Sequence, residues 1–308
     1  MKQIIVTTTI HPPTQPLSRF LEKPGWDVIV VGDKKTPHDS YQELARRNSH
    51  LTYLAPEEQQ VAYPRISDAL GWNTIQRRNI GFIVAYKMGA DVVASVDDDN
   101  LPYENWGQDL LVGRETEVDI YEPEAEVFDP LSVTEHHELW HRGYPVELLP
   151  ARRKVHHLGK QTRKVLVQAD LWDGDPDIDA ITRLTWRPEV TFPPDMAPYA
   201  ATKLSPFNSQ NTFLAREVLP YYAVLPHVGR MDDIWGGYLL QHHFPDSIIY
   251  NAASVRHERH EQDLVRNLED ELIGYRQTLS LVHNLAQPET VLPAATVAFL
   301  DLYRAAFQ

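Results

Sequence analysis

The chain contains no cysteine, which removes disulfides, thiolate nucleophiles and zinc–thiolate centres from consideration. It has no Lys/Arg-rich block either. With 29 basic against 43 acidic residues the net charge is −14, a balance that argues against nucleic acid as the main partner. No segment approaches the apolar length needed to span a bilayer, and the opening run Met1 to Ile10 is too short and too rich in threonine for a signal segment. The expected setting is therefore cytoplasmic, with no membrane span. No glycine-rich phosphate loop follows the first candidate strand. The segment Thr7-Thr8-Thr9-Ile10-His11-Pro12-Pro13 stands there instead, which argues against a dinucleotide fingerprint or a P-loop. Internal repeats and low-complexity linkers are also missing. What remains is 308 residues, 43% of them apolar, enough for one large α/β domain or two small ones.

The first third alternates strand and helix signals. Gln3 to Ile10 and Trp26 to Val31 read as strands, with Thr14 to Leu21 as a short helix between them that tolerates Pro16 in its first turn. Leu51 to Leu54 reads as a weaker strand. Thr74 to Met88 reads as an amphipathic helix with Gly89 as its C-cap. This order predicts a largely parallel sheet with right-handed crossovers. The next strand runs into Asp97-Asp98-Asp99-Asn100, three consecutive carboxylates where a buried strand leaves the sheet, and open α/β sheets bind ligands beyond that end. A diphosphate and clustered aspartates repel each other unless a hard cation such as Mg²⁺ or Mn²⁺ lies between them. Alternation along an extended exit sends Asp97 and Asp99 one way and Asp98 the other. The competing reading is a solvated acidic turn.

From Leu101 to Pro198 the pattern is irregular. His141-Arg142-Gly143-Tyr144-Pro145 offers a guanidinium beside a glycine that a ligand can approach closely. Leu171 to Asp179 carries four carboxylates around a turn, and Asp-Gly-Asp-Pro is ordinary turn chemistry. In Ser205 to Thr212 the clustered amides suit either sugar hydroxyls or buried backbone. Asp232 and Asp233 stand at the start of a helix running to about His243, where the helix dipole favours carboxylates and where one of them can serve as a general base. His257 and His260 follow a strand at Ser247 to Tyr250 and either complete a metal site or are solvated. Helices at Leu264 to Leu285 and Pro293 to Phe307 read as packing elements or a homo-oligomer contact.

Several of these segments, in matching order over roughly residues 3 to 275, resemble the STELLO-type glycosyltransferase-like proteins. They are Val30-Val31-Gly32-Asp33-Lys34-Lys35-Thr36-Pro37, Arg77-Arg78-Asn79-Ile80-Gly81, Asp97 to Asn100, Trp172 to Ala180, Pro206 to Thr212 and Asp233-Ile234-Trp235. A more distant likeness runs to the reversibly glycosylated polypeptides, the UDP-arabinopyranose mutases, through the triple aspartate, Arg142 to Pro145 and Asp232 to Trp235. Both resemblances imply a GT-A fold, an α/β architecture in which a Rossmann-like nucleotide half (about 1–100) joins an acceptor half (about 101–260). A C-terminal helical extension (261–308) would pack on it.

The same resemblance implies site roles. Asp97 and Asp99 would hold the metal with His257 as third ligand. Arg77, Asn79, Asp97 and Asp98 would lie at the nucleotide, and Thr8 and Asp33 at its base and ribose. In the mutases the arginine matching Arg142 becomes glycosylated, but a second arginine seven positions later is Leu149 here, which weakens that reading. The STELLO-type relatives are membrane-anchored in the Golgi, whereas this chain reads as a free catalytic domain. The expected function is a Mn²⁺- or Mg²⁺-dependent transfer of a sugar from a UDP-sugar to an unknown acceptor. Asp232 or Asp233 would take the acceptor's proton if the reaction inverts, and no base is needed if it retains. A UDP-sugar mutase ranks second and a non-catalytic scaffold third.

Overall fold

The computed structural model describes residues 1–258 and 262–308. The expected boundary at residue 260 and the candidate His260 lie outside the described residues.

Runs rich in apolar, β-branched residues build the first strands, β1 (Gln3–Thr9) and, after the short helix α1 (Gln15–Leu21), β2 (Trp26–Gly32). The Thr14 hydroxyl caps α1 by accepting from the Leu17 amide at 3.2 Å. Next come α2 (His38–Arg47), β3 (Leu51–Leu54), α3 (Pro56–Ala62) and α4 (Pro64–Leu70). A 3₁₀ turn at Ile75–Arg77 precedes α5 (Arg78–Lys87), so the helix expected from Thr74 begins as a tighter turn. Strand β4 (Val92–Val96) is buried along its whole length.

These four strands pair in parallel in the order β3-β2-β1-β4. Chain order reverses at β1, which has β2 on one side and β4 on the other, and such a switch point leaves a crevice at the strands' carboxyl ends. Helix α5 lies close against this sheet. A Cβ at Gly81 would come within 2.4 Å of Val6 Cγ1 and 2.9 Å of Val31 Cγ2, so only glycine permits the approach.

The middle of the chain is more regular than its sequence suggests. It supplies β5 (Asn100–Pro102), β6 (Glu115–Pro123), β7 (Val155–Lys164), β8 (Val167–Gly174), α6 (Ala180–Thr185) and β9 (Tyr199–Ala201). Then follow β10 (Asn211–Ala215), α7 (Asp232–His243) and β11 (Ile248–His257). Strand β10 runs antiparallel to β4, with Asn211 opposite Val96. From there the sheet continues β10-β8-β11-β9-β6-β7. A parallel Rossmann-like half and a mixed half thus share one sheet, the GT-A arrangement expected. Strand β5 pairs with the end of β11, placing Asn100 opposite His257. The last strand residue is in this way carried to the aspartates.

Two helices close the chain, α8 (Leu264–His283) and α9 (Ala294–Ala305). They cover a second apolar cluster that includes Ile83, Trp235, Leu281 and Phe299. Tyr303 fixes α9 by donating its hydroxyl to the carbonyls of Leu219 and Tyr222 at 3.0 and 2.9 Å. Among the described residues no helix is long and apolar enough to cross a membrane.

Candidate active site

Two adjoining recesses open at the switch point. The larger, about 480 Å³, is lined by Asp97, Asp99, Arg142, Asp232, Asp233 and His257 among others. The smaller, about 200 Å³, has Thr8, Asp33, Arg77 and Asp98 on its wall. The aspartate triplet therefore divides between them. Asp98 is turned by the Thr9 hydroxyl, which donates to its carboxylate at 2.5 Å, while its backbone carbonyl accepts from the Thr14 hydroxyl at 2.8 Å.

Asp97 is held by Arg78, whose guanidinium is 1% exposed and donates to Asp97 Oδ1 at 2.5 Å. Burial raises the Asp97 carboxyl to about 6, with the neighbouring Asp99 adding to the rise and Arg78 opposing it. The same guanidinium donates to the Ser209 carbonyl and hydroxyl at 2.8 and 2.9 Å. Ser209 in turn donates through its amide and hydroxyl to Asp233 Oδ2 at 2.9 and 3.1 Å. Asp233 meets Arg142 at 3.2 Å, and Arg142 forks onto both oxygens of Asp177 at 2.7 and 2.9 Å. Asp177 also accepts from the Asn208 amide at 2.8 Å. A continuous polar chain, Asp97–Arg78–Ser209–Asp233–Arg142–Asp177, thus runs from one half of the fold to the other.

Each link suits the charge of the next. Burial alone would raise the Asp177 carboxyl, but Arg142 and His141 outweigh it and hold it well below the usual carboxylate range. Asp232 stands apart from Arg142's fork. It accepts from the Gln76 side-chain amide at 2.8 Å and from the Asp233 backbone amide at 3.0 Å. Burial, then the charge of Asp233, lifts it to about 7.

His257 ends β11 with its ring against Asp99. Its Nδ1 lies 3.0 Å from the Asp175 carbonyl and its Nε2 lies 3.2 Å from Asp99 Oδ2. A carbonyl only accepts, so Nδ1 carries a proton, which leaves Nε2 as the ring nitrogen that faces Asp99. A shared proton or a bound cation satisfies this pair of atoms. A backbone carbonyl on the other ring nitrogen is the usual partner of a metal-ligating imidazole. Gly174 makes this possible, since its φ of +94° favours glycine and a Cβ there would meet the His257 carbonyl at 2.4 Å.

Some expected residues are placed differently. Asn79 is fully buried in α5 and spends its amide on the Val224 backbone, at 2.7 and 2.9 Å, so it does not reach the smaller recess. Arg77 borders that recess but turns its guanidinium inward onto Gln59, Ser67 and Gly71 and stacks on Trp72 at 3.7 Å. The arginine that meets the aspartates is Arg78. Asp33 is 3% exposed and accepts from the Lys34 and Thr74 amides at 2.7 and 3.0 Å. Among the described residues no three His, Asp or Glu side chains are gathered closely enough to hold an ion as they stand. Asp97, Asp99 and His257 are therefore not preassembled, with Asp97 drawn onto Arg78.

The sequence assigns no role to Gln76, nor to Arg78 and Ser209 although both stand in segments that carry the resemblance, and it reads Asp177 as part of a turn. The signal for Asp177 was present, because the carboxylate-rich turn that contains it belongs to the segments that carry the resemblance.

No family model matches the chain. It is 25% identical over 207 residues to the probable glycosyltransferase STELLO2 of Arabidopsis thaliana, covering 63% of this chain and 26% of the relative. For STELLO1 of the same plant the figures are 24% over 198 residues, 60% and 24%. The chain thus spans about a quarter of the length of these curated relatives. Among solved structures it is similar to glucosyl-3-phosphoglycerate synthase from Mycobacterium tuberculosis in complex with Mn²⁺, uridine diphosphate and glucosyl-3-phosphoglycerate. That likeness has a TM-score of 0.47 at 12% identity and covers 95% of this chain and 81% of the other.

Proposed function

We propose that this chain is a divalent-metal-dependent glycosyltransferase that uses a UDP-sugar donor. The observation that carries the reading is that Asp97, Asp99 and His257 line one cavity of about 480 Å³, with His257 Nε2 3.2 Å from Asp99 Oδ2. The similarity to probable glycosyltransferases supports a transfer reaction. Asp97, Asp99 and His257 would hold Mn²⁺ or Mg²⁺, which supplies positive charge to the leaving diphosphate when bound.

The chain's own groups take the remaining tasks. Thr8, Asp33 and Asp98 border the smaller recess, which suits the base and ribose. Arg142, fixed between Asp177 and Asp233, keeps a positive charge at the cavity wall. Asp232, near neutral in affinity for its proton and oriented by Gln76, is the group suited to take the acceptor's hydroxyl proton. Although burial would lower it, Asp177 and Asp233 hold the pKa of Arg142 well above its ordinary value. Both carboxylates hold the guanidinium in place, with Nε and Nη2 spent on Asp177 and Asp233.

Calorimetry with UDP, with and without Mn²⁺, tests the reading. UDP binding should require the metal, and Asp99→Asn should abolish it while far-UV circular dichroism stays unchanged. Binding of UDP that is indifferent to both Mn²⁺ and Asp99 would sink the proposal.

A further inference from the structure

A second cavity, of about 440 Å³, shares no lining residue with the one that holds Asp97 and Asp99. Its volume falls in the range of roughly 300–1,000 Å³ typical of small-ligand sites. It lies between β8, the segment after β5, the segment before β9 and the middle of β11. The pairing of β8 with β11 shifts register between Asn251 and Val255. Bulges of this kind re-aim side chains and concentrate beside functional sites, and here Asn251 and Ser254 both face the cavity.

The lining is chemically specific. Asp170, 5% exposed, accepts from the Gln168 side-chain amide at 2.8 Å, and Gln168 is itself oriented by the Leu111 amide at 2.8 Å. Asp173 accepts from the Tyr103 hydroxyl at 2.5 Å and from the Phe192 amide at 2.9 Å. Carboxylates, amides and hydroxyls therefore stand fixed within one recess, while Phe192 and Met196 give it an apolar wall. Among the described residues no lysine or arginine lines it, which disfavours an anion. No three His, Asp or Glu among the described residues form a metal site. Burial raises Asp170 to about 7, with the charge of Asp109 adding and hydrogen bonds from Ser254, Gln168 and Asn251 opposing.

We infer that this cavity, framed by Asp170, Asp173, Asn251, Ser254 and Phe192, is a second binding site that takes a neutral saccharide. Its fixed polar groups would exchange hydrogen bonds with ring hydroxyls, and the Phe192 wall would cover the ring's C–H face. The inference does not depend on the transfer reaction.

Saturation-transfer NMR on the full chain carrying Asp99→Asn tests it with a panel of glucose, galactose, arabinose, xylobiose and cellobiose. At least one of these should bind although the transfer site is disabled. Asn105→Trp, a substitution at an exposed position on the rim, should weaken that binding at least tenfold, and Asp170→Leu should do the same from the floor. If Asp170→Leu does not fold, the rim variant still decides. The inference is overturned if no sugar of the panel binds, if binding is indifferent to Asn105→Trp, or if inorganic phosphate or Ca²⁺ occupies the cavity in the sugar's place.

Discussion

Two neighbouring carboxylates illustrate how much a single residue's chemistry owes to its surroundings. Asp232 and Asp233 are equivalent on paper, and the sequence could not rank them, because the difference lies in Arg142 and Ser209 reaching one and Gln76 the other. Asp232 sits near 7, above the ordinary 3.8, so the folded chain retains a proton that the unfolded chain has lost. The stability that this gives is complete below the unfolded value and disappears as pH rises through the folded one. Asp232→Asn should therefore match the parent at about pH 3, below the unfolded value, and exceed it in thermal stability at about pH 8. It should also lose on the order of 10²- to 10⁴-fold in turnover and lose the rise in kcat/KM through neutral pH. Melting curves at both pH values and a rate profile check this, and unchanged turnover would remove Asp232 as the base. The Arg77 and Arg78 pair carries the same lesson. Both stand before the apolar stripe, but the point where the 3₁₀ turn gives way to α5 decides which one faces the aspartates, and that phase is invisible in composition.

Elements buried on a sheet were the most legible. The runs at β1, β2 and β4 announce themselves by branched side chains, and β3 and α7 fall where the sequence reading put them. The antiparallel β6–β7 pair does not, because β7 is almost wholly exposed and its Val-His-His-Leu-Gly-Lys-Gln-Thr-Arg-Lys run lacks an apolar alternation. Strand β11 was cut short at Tyr250 because the register shift after Asn251 breaks the period, hiding the length that delivers His257. Helix α5 offers a test at this scale. Its seat on the sheet requires the missing side chain of Gly81, so Gly81→Ala should force α5 away from Val6 and Val31. The expected cost is about 1–3 kcal/mol, as for other overpacked cores. A denaturation midpoint that falls with an unchanged slope would agree, and an unchanged midpoint would show that the helix has room to spare.

At the scale of the whole molecule, the sequence conveys an α/β chain whose Rossmann-like beginning joins a second half, but not the strand order of the sheet that unites them. That sheet depends on pairings between distant segments, such as β10 inserted between β4 and β8, which no local pattern encodes. Because the hydrogen-bonded ladder is uninterrupted across the halves, urea should unfold them together, with tryptophan fluorescence and far-UV circular dichroism giving one shared midpoint. Two separated midpoints would mean that the halves behave as independent units. The antiparallel pairing of β4 with β10 has one more consequence. The loop leaving the first strand and the loop entering the second emerge side by side from the same rim, like two cuffs sewn to one seam. Either cuff can change away from the seam while the stitching still holds the Asp97 amide against the Gln210 carbonyl.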